Sequence, residues 1–263
     1  MTRRAAEGST SASRRLLGAG AAVLLLAATA ACGPDADADS DTTLRVLAAA
    51  SLTESFDELA GDFEAAHPNV DVQVSYDSSA VLAEQVVQGN TADVLATADE
   101  TTMQSVVDAG ETASDPLPFA SNTLVIATPP DNPAGIADVD DLAGATFAVC
   151  VPDAPCGDAA ARLLELDRIT AAPATEEQNV KGVLTKVTLG EVDAGLVYAS
   201  DAVAAGDAVH VVVPQRAGEI VNVDPIAVLA AGDQTGLAQE FVDLVLSGEG
   251  QAVLARHGFG PAS

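Results

Sequence analysis

The sequence predicts an α/β fold built on a mostly parallel sheet flanked by helices, and three observations predict it. Short apolar runs such as Leu44–Ala50 and Ala194–Tyr198 read as buried strands. Segments with apolar residues at helical spacing follow them almost at once, as Leu52, Phe56, Leu59 and Phe63 do after the first run. Ser, Asn, Pro or Gly stand at the junctions, where helix caps and chain breaks are favoured. Strands alternating with helices pair in parallel through right-handed crossovers. Ligands of such sheets bind beyond the carboxyl ends of the strands, where these junctions lie.

The first forty or so of the 263 residues do not belong to that pattern. Arg3, Arg4, Arg14 and Arg15 make a basic start, and Leu16–Ala31 is an apolar run closing on small residues. Residues 1–31 therefore read as a secretory signal peptide, too short for a membrane span. Cys32-Gly33 resembles a bacterial lipoprotein cleavage site, which would make Cys32 the lipidated N-terminus. Thr29 departs from the Leu usual in that motif, and a plain secreted protein is the alternative. Ser13-Arg14-Arg15-Leu16-Leu17 weakly resembles a twin-arginine export signal. Residues 32–42 form an acidic tether with Asp35, Asp37, Asp39 and Asp41, and such a composition cannot bury a core.

The whole chain carries a formal charge of −28. Residues 1–31 hold four Arg and one Glu, so the chain beyond them stands at −31. Nucleic acid is excluded as a partner, because phosphate contacts need basic residues. An anion site in such a chain must work through local, desolvated donors, with salt screening the distant charge.

The folded body is justified element by element. After the first strand, Ser51 opens a helix as its N-cap, a place where free N–H groups and the helix dipole favour an anion. Asn69–Tyr76 alternates apolar and polar residues as a strand and ends in Asp77-Ser78-Ser79 before a helix through Leu82 and Val86. Ala92–Ala96 is a short strand, followed by Asp99 and a helix through Met103 and Val106. Phe119–Thr128 holds another strand, and Pro129–Gly135 a turn segment. Thr146–Val151 is a strand that leads to Pro155-Cys156-Gly157 and a helix through Leu163. Pro near the first helical position is a common opening device, and the backbone N–H of Cys156 lies there. Asn179-Val180-Lys181-Gly182 opens a further helix. Ala194–Tyr198 is a buried strand ending in Tyr, with a helix from Ala199-Ser200-Asp201. Val209–Val213 and Val221–Leu229 are strands, the second with an internal Pro225, and two helices, 239–246 and 250–257, close the chain.

Besides Cys32 the chain has Cys150 and Cys156. Outside the cell such a pair can stay oxidised, and so small a loop gains roughly 2 kcal/mol from chain entropy. A redox or metal role is the lesser alternative, since no His or further Cys lies nearby to complete a zinc site.

Ala48-Ala-Ala-Ser51-Leu-Thr, Ser78-Ser79 with Leu82-Ala83, Pro155-Cys156-Gly157, Val180-Lys-Gly and Gly195-Leu-Val-Tyr198-Ala-Ser-Asp-Ala together resemble the molybdate-binding proteins of ABC transporters. The resemblance covers nearly all of residues 44–260, with the motifs in the family's order. It implies a two-lobed type II periplasmic-binding-protein fold, each lobe a mostly parallel sheet flanked by helices, with the ligand in the cleft. Residues 43–122 plus 221–263 would form lobe 1, and residues 123–220 lobe 2. The oxyanion would be held by the hydroxyls of Ser51 and Ser79, backbone N–H groups that include those of Cys156 and Val180, and the phenol of Tyr198. The Cys150–Cys156 pair resembles a disulfide variant of the family. Molybdate and tungstate would both bind, without a cofactor or a direct metal-cation ligand. The partner would be an ABC permease, and the protein a monomer anchored outside the cytoplasm through Cys32.

A site made only of neutral donors suits a fully deprotonated tetrahedral anion, because preorganised N–H and O–H groups keep their strength in a dry cleft. The rivals are a sulfate- or iron-binding protein of the same fold and, more remotely, a secreted enzyme using Ser51 or Cys156. Iron sites of this fold often use paired Tyr, and the chain has only Tyr76 and Tyr198. An enzyme needs a base beside its nucleophile, and His67, His210 and His257 belong to no catalytic motif.

Overall fold

A computed structural model describes residues 42–262. The signal peptide expected over 1–31, the lipidated Cys32 and nearly all of the tether lie outside the described residues. Thr42, at the tether's expected end, is already the first residue of a strand.

Strand β1 (Thr42–Ala49) is followed by helix α1 (Thr53–Ala66), with a short 3-10 turn, Ala50–Leu52, between them. Next come β2 (Val70–Asp77), α2 (Ser79–Val87), β3 (Val94–Ala96) and α3 (Glu100–Asp108). The long β4 (Leu117–Thr128) leads to β5 (Phe147–Cys150), α4 (Pro155–Leu166), β6 (Thr175–Glu177) and α5 (Val180–Thr188). The chain continues through β7 (Ala194–Tyr198), α6 (Ala199–Ala205), β8 (His210–Val212) and β9 (Val221–Val228). It ends in α7 (Thr235–Leu246), α8 (Gly248–Arg256) and the two-residue β10 (Gly260–Pro261). Every strand–helix alternation expected from the sequence is present. The sequence pattern gave no sign of β6 or β10.

The strands lie in the order β2-β1-β3-β9-β4-β7-β5-β6, with β8 and β10 also pairing with β4. Pairing is parallel for β1 with β2 and β3, and for β5 with β6 and β7. The strands between these groups are antiparallel, so the sheet is mixed. β4 changes partners along its length. Residues 117–123 pair with β9, and residues 124–128 with β7 and β8. The internal Pro225 of β9 faces Pro118 across a register shift in β4, a place where a missing ladder N–H is tolerated. Its carbonyl accepts the N–H of Thr97 at 3.0 Å.

A smaller apolar cluster packs Leu47, Leu95 and Ala227 against Leu82, Val86 and Met103 of α2 and α3, and one large cluster runs through both sheet groups. At one end Phe56 of α1 meets Phe119 and Phe241 with ring centroids 5.9 Å apart, and Phe63 meets Phe241 edge-on at 5.5 Å. Such tilted and edge-to-face geometry is the favoured aromatic arrangement. This packing fixes α1 against β4 and α7, and so fixes the turn at its N-terminus. Among the described residues, no helix is long and apolar enough to cross a membrane.

Candidate oxyanion site

The first junction departs from expectation. Ser51 does not cap α1: it lies inside the 3-10 turn, and Leu52 holds the N-cap position without a side-chain hydrogen bond. The turn intervenes because Thr53 returns both its N–H and its hydroxyl to the carbonyl of Ala50. Ser51 is consequently buried, with an Oγ that has no partner among the described residues. A buried hydroxyl without a partner costs free energy, so its placement calls for a reason beyond helix capping.

At the second junction Ser78 is the N-cap and Ser79 the first helical residue. Ser79 is 1 % exposed, and its Oγ accepts the N–H of Ala98 at 2.9 Å. With the oxygen occupied in that way, the hydroxyl proton is left to be given elsewhere.

The third junction is clamped. Cys150, at the end of β5, is bonded to Cys156 in the first turn of α4. Next to it a Cβ on Gly157 would come within 2.0 Å of the Val151 carbonyl oxygen, so only glycine lets the helix approach this closely. Pro155 opens the helix. The N–H of Cys156, in the first turn, has no acceptor among the described residues, as expected where a helix begins.

At the fourth junction Asn179 caps α5, its Oδ1 accepting the Gly182 N–H at 3.2 Å. Its Nδ2 donates to Asp77 at the end of β2, 3.1 Å away. The cap takes the Gly182 N–H and leaves that of Val180 unpaired within the chain. Tyr198 ends β7. It is 2 % exposed, and its hydroxyl oxygen accepts from Asn222 Nδ2 at 2.9 Å. Burial pushes its pKa well up, and the charges of Asp224, Asp99, Asp201 and Asp158 add to this. The phenol therefore stays neutral.

Ser51, Ser79, Cys156, Val180 and Tyr198 all line one small cavity of about 10 Å³, about the room of one water. The five residues singled out in the sequence thus come together. No Lys, Arg or His lines this cavity. Lys181, next to Val180, points its charge elsewhere: Nζ lies 2.7 Å from Glu54 on α1 and 3.3 Å from Asp201. Asp201 is fully buried, and burial raises its pKa to about 6 against the lowering effect of Lys181. A wider cleft of about 630 Å³ lies beside α2, α3 and α4, but Glu84, Asp99, Asp153 and Asp158 line it. Its carboxylates make it a poor resting place for an anion.

Two polar residues escaped the sequence reading. Asn222 and Asp224 sit on β9, at positions that share one face of the strand. Asp224 is fully buried, with neither carboxyl oxygen hydrogen-bonded. Burial, then Asp99 and Asp201, hold its pKa well above the usual carboxylate range. The available signal was a polar pair inside an otherwise apolar strand, Val221-Asn-Val-Asp-Pro-Ile.

The rival chemistries find less support. Tyr76 gives its hydroxyl to Asp57 and does not line the cavity. Among the described residues, no group of three His, Cys, Asp or Glu is arranged to hold a metal ion. His67 pairs with Glu240 and His257 with Glu58, and no His lies beside Ser51 or Cys156 in the cavity.

Comparison with known proteins places the chain. The family model described as bacterial extracellular solute-binding protein matches residues 44–260. The molybdate-binding protein ModA of Mycobacterium tuberculosis is 40 % identical over 245 residues, covering 90 % of this chain and 94 % of the relative. The periplasmic molybdate-binding protein of Azotobacter vinelandii superposes with a TM-score of 0.73 at 21 % identity, over 82 % of this chain and 98 % of that one. The sulfate-binding protein SubI of M. tuberculosis superposes with a TM-score of 0.72 at 20 % identity, over 84 % and 88 %. At such identities these two structures speak for the fold alone, and the fold is shared by binders of different oxyanions.

Proposed function

The chain belongs to the bacterial extracellular solute-binding proteins, in the molybdate-binding protein family, and from that premise we propose that it captures molybdate or tungstate outside the cytoplasm for an ABC permease. The observation that carries this reading is the convergence of Ser51, Ser79, Cys156, Val180 and Tyr198 on one cavity free of basic side chains. In this reading Ser51, Ser79 and Tyr198 donate O–H groups to the oxyanion, and the N–H groups of Cys156 and Val180 complete the shell. No cofactor takes part. Two N–H groups belong to the first turns of α4 and α5, where the helix dipoles add partial positive charge. Such a shell offers donors only, which suits an anion without protons.

Residues 43–122 with 221–263 act as one lobe and residues 123–220 as the other. The change of partners along β4 and the start of β9 at Val221 support hinges at these two crossings. The cavity has the room of about one water, and in this reading the lobes part to admit the oxyanion and close around it. Ser51 and Ser79 move with the first lobe; Cys156, Val180 and Tyr198 move with the second. The permease reads the closed form. The protein works as a monomer held to the membrane through lipidated Cys32.

Thermal unfolding of the soluble body in the presence of molybdate, tungstate, sulfate and phosphate tests the ligand class. A ligand at 100 times its Kd stabilises by about 2.7 kcal/mol. Upward shifts with molybdate and tungstate that exceed those with sulfate and phosphate are expected. Equal shifts with sulfate would move the function to sulfate uptake, and no shift with any of the four would reject the oxyanion site.

A further inference from the structure

Asn222 makes two hydrogen bonds through the same nitrogen, to the Ala98 carbonyl oxygen and to the Tyr198 hydroxyl oxygen, each at 2.9 Å. A carbonyl oxygen can only accept, so the atom facing it must be the amide nitrogen. The second proton of that nitrogen therefore points at Tyr198, whose oxygen has to accept it. No acceptor for the phenol's own proton is present among the described residues, and the ring lines the cavity. The phenol proton is thus left free to turn toward the cavity. Ala98 fixes the second hydroxyl in the same way, its N–H donating to Ser79 Oγ. The Ala98 N–H and the Asn222 amide thus set the proton direction of two of the three hydroxyls, those of Ser79 and Tyr198.

We propose that Asn222 is a specificity-determining positioning residue, which makes the Tyr198 hydroxyl a donor toward the cavity and so tunes the site to fully deprotonated oxyanions. This rests on the reading of the cavity as an oxyanion site. A hydrogen phosphate or hydrogen arsenate carries a proton that needs an acceptor, and with Asn222 in place Tyr198 cannot serve as one. Asn222 reaches Tyr198 from β9, so the same bond links residues on either side of the expected hinge.

The first test needs no ligand. Tyr76→Phe leaves Tyr198 as the remaining tyrosine, and the tyrosine ring doublet in ultraviolet resonance Raman reports whether the phenol oxygen accepts or the O–H donates. An acceptor signature that is lost on adding Asn222→Leu is expected. A donor signature with Asn222 intact would overturn the proposal.

The second test is calorimetric, with molybdate and hydrogen phosphate as probes. Asn222→Asp turns an acceptor oxygen toward Tyr198. It should weaken molybdate binding about 10- to 100-fold, the range of hydrogen bonds to charged groups, and lower the molybdate-to-phosphate affinity ratio at least tenfold. An unchanged ratio would overturn the proposal. If Asn222→Asp fails to fold, a double-mutant cycle decides. Asn222→Leu should cost molybdate affinity in the wild type but less than about threefold in Tyr198→Phe, because coupled residues are not additive. Additive losses would reduce Asn222 to a structural role. Wild-type protein that binds no oxyanion would overturn the functional reading, and the Raman signature would still decide the proton direction.

Discussion

Lys181 Nζ contacts Glu54 through both carboxylate oxygens, at 2.8 and 2.7 Å, joining α5 to α1. Val180, which lines the cavity, is the adjacent residue. Side-chain exposure is 26 % for Lys181 and 41 % for Glu54, while the second carboxylate beside Lys181, Asp201, is fully buried. The two contacts therefore differ in what is lost when they are broken.

Glu54→Gln removes a half-exposed partner, and such pairs contribute about 1 kcal/mol or less. It should weaken oxyanion binding by less than about tenfold, and the effect should shrink at high salt. Lys181→Met leaves Asp201 buried without its cation, and breaking a buried pair by removing one partner costs about 3–5 kcal/mol at the upper end. Chemical denaturation should show Lys181→Met as the more destabilising change at pH 7. Equal effects would mean that Asp201 does not depend on Lys181.

Two buried carboxyls predict how stability varies with pH. The folded-state pKa of Asp201 is raised to about 6, above the unfolded value of about 3.9. Its contribution is fully present below the unfolded pKa and is lost as pH rises through the folded one. The loss is about 1.4 kcal/mol per pH unit over that window. Asp224 is also raised well above the usual carboxylate range, first by burial and then by Asp99 and Asp201, so its contribution is lost in the same direction as pH rises. Asp224→Asn should gain stability relative to wild type as pH rises from 4 to 8, measured by urea unfolding. A difference independent of pH would show that Asp224 is charged in the folded protein.

The two serines should respond differently. Ser51 Oγ has no partner among the described residues, so Ser51→Ala should weaken binding while leaving the ligand-free protein as stable or more stable. Ser79 Oγ accepts the Ala98 N–H. Ser79→Ala should lose binding and also about 1–3 kcal/mol of stability, the cost of an unsatisfied buried donor. Melting of the ligand-free variants separates the two outcomes.

Reduction of Cys150–Cys156 should lower stability by about 2 kcal/mol, since the closed loop is short. The ligand preference should change little, because the Cys156 N–H and the close seat of Gly157 belong to the backbone rather than to the sulfur. A change in preference larger than the change in stability would give the disulfide a part in recognition.

The site was legible in the sequence where it depends on local order. Ser79, Cys156 and Tyr198 each stand where a strand pattern gives way to a helix pattern, a boundary written in hydrophobic spacing, and Val180 stands at a helix start marked by Asn179. Ser51 lines the cavity with the other four, but its expected role as helix N-cap was wrong, since the 3-10 turn at Ala50–Leu52 leaves no trace in the spacing. Asn222 and Asp224 were not legible, because β9 meets the site through antiparallel pairing with β3 and β4, contacts far apart in the chain. Strand β6 is only Thr175-Glu176-Glu177; it pairs along one edge of β5 and carries no apolar period.

The central claim is a cleft of neutral donors selecting deprotonated tetrahedral oxyanions, and calorimetric titration of the body from Asp41 onward tests it most directly. Molybdate and tungstate should bind one-to-one and tightly, sulfate far more weakly, and phosphate weakest. Binding of phosphate as tight as that of molybdate would contradict a cavity in which Ser79 and Tyr198 turn their hydroxyl protons to the ligand.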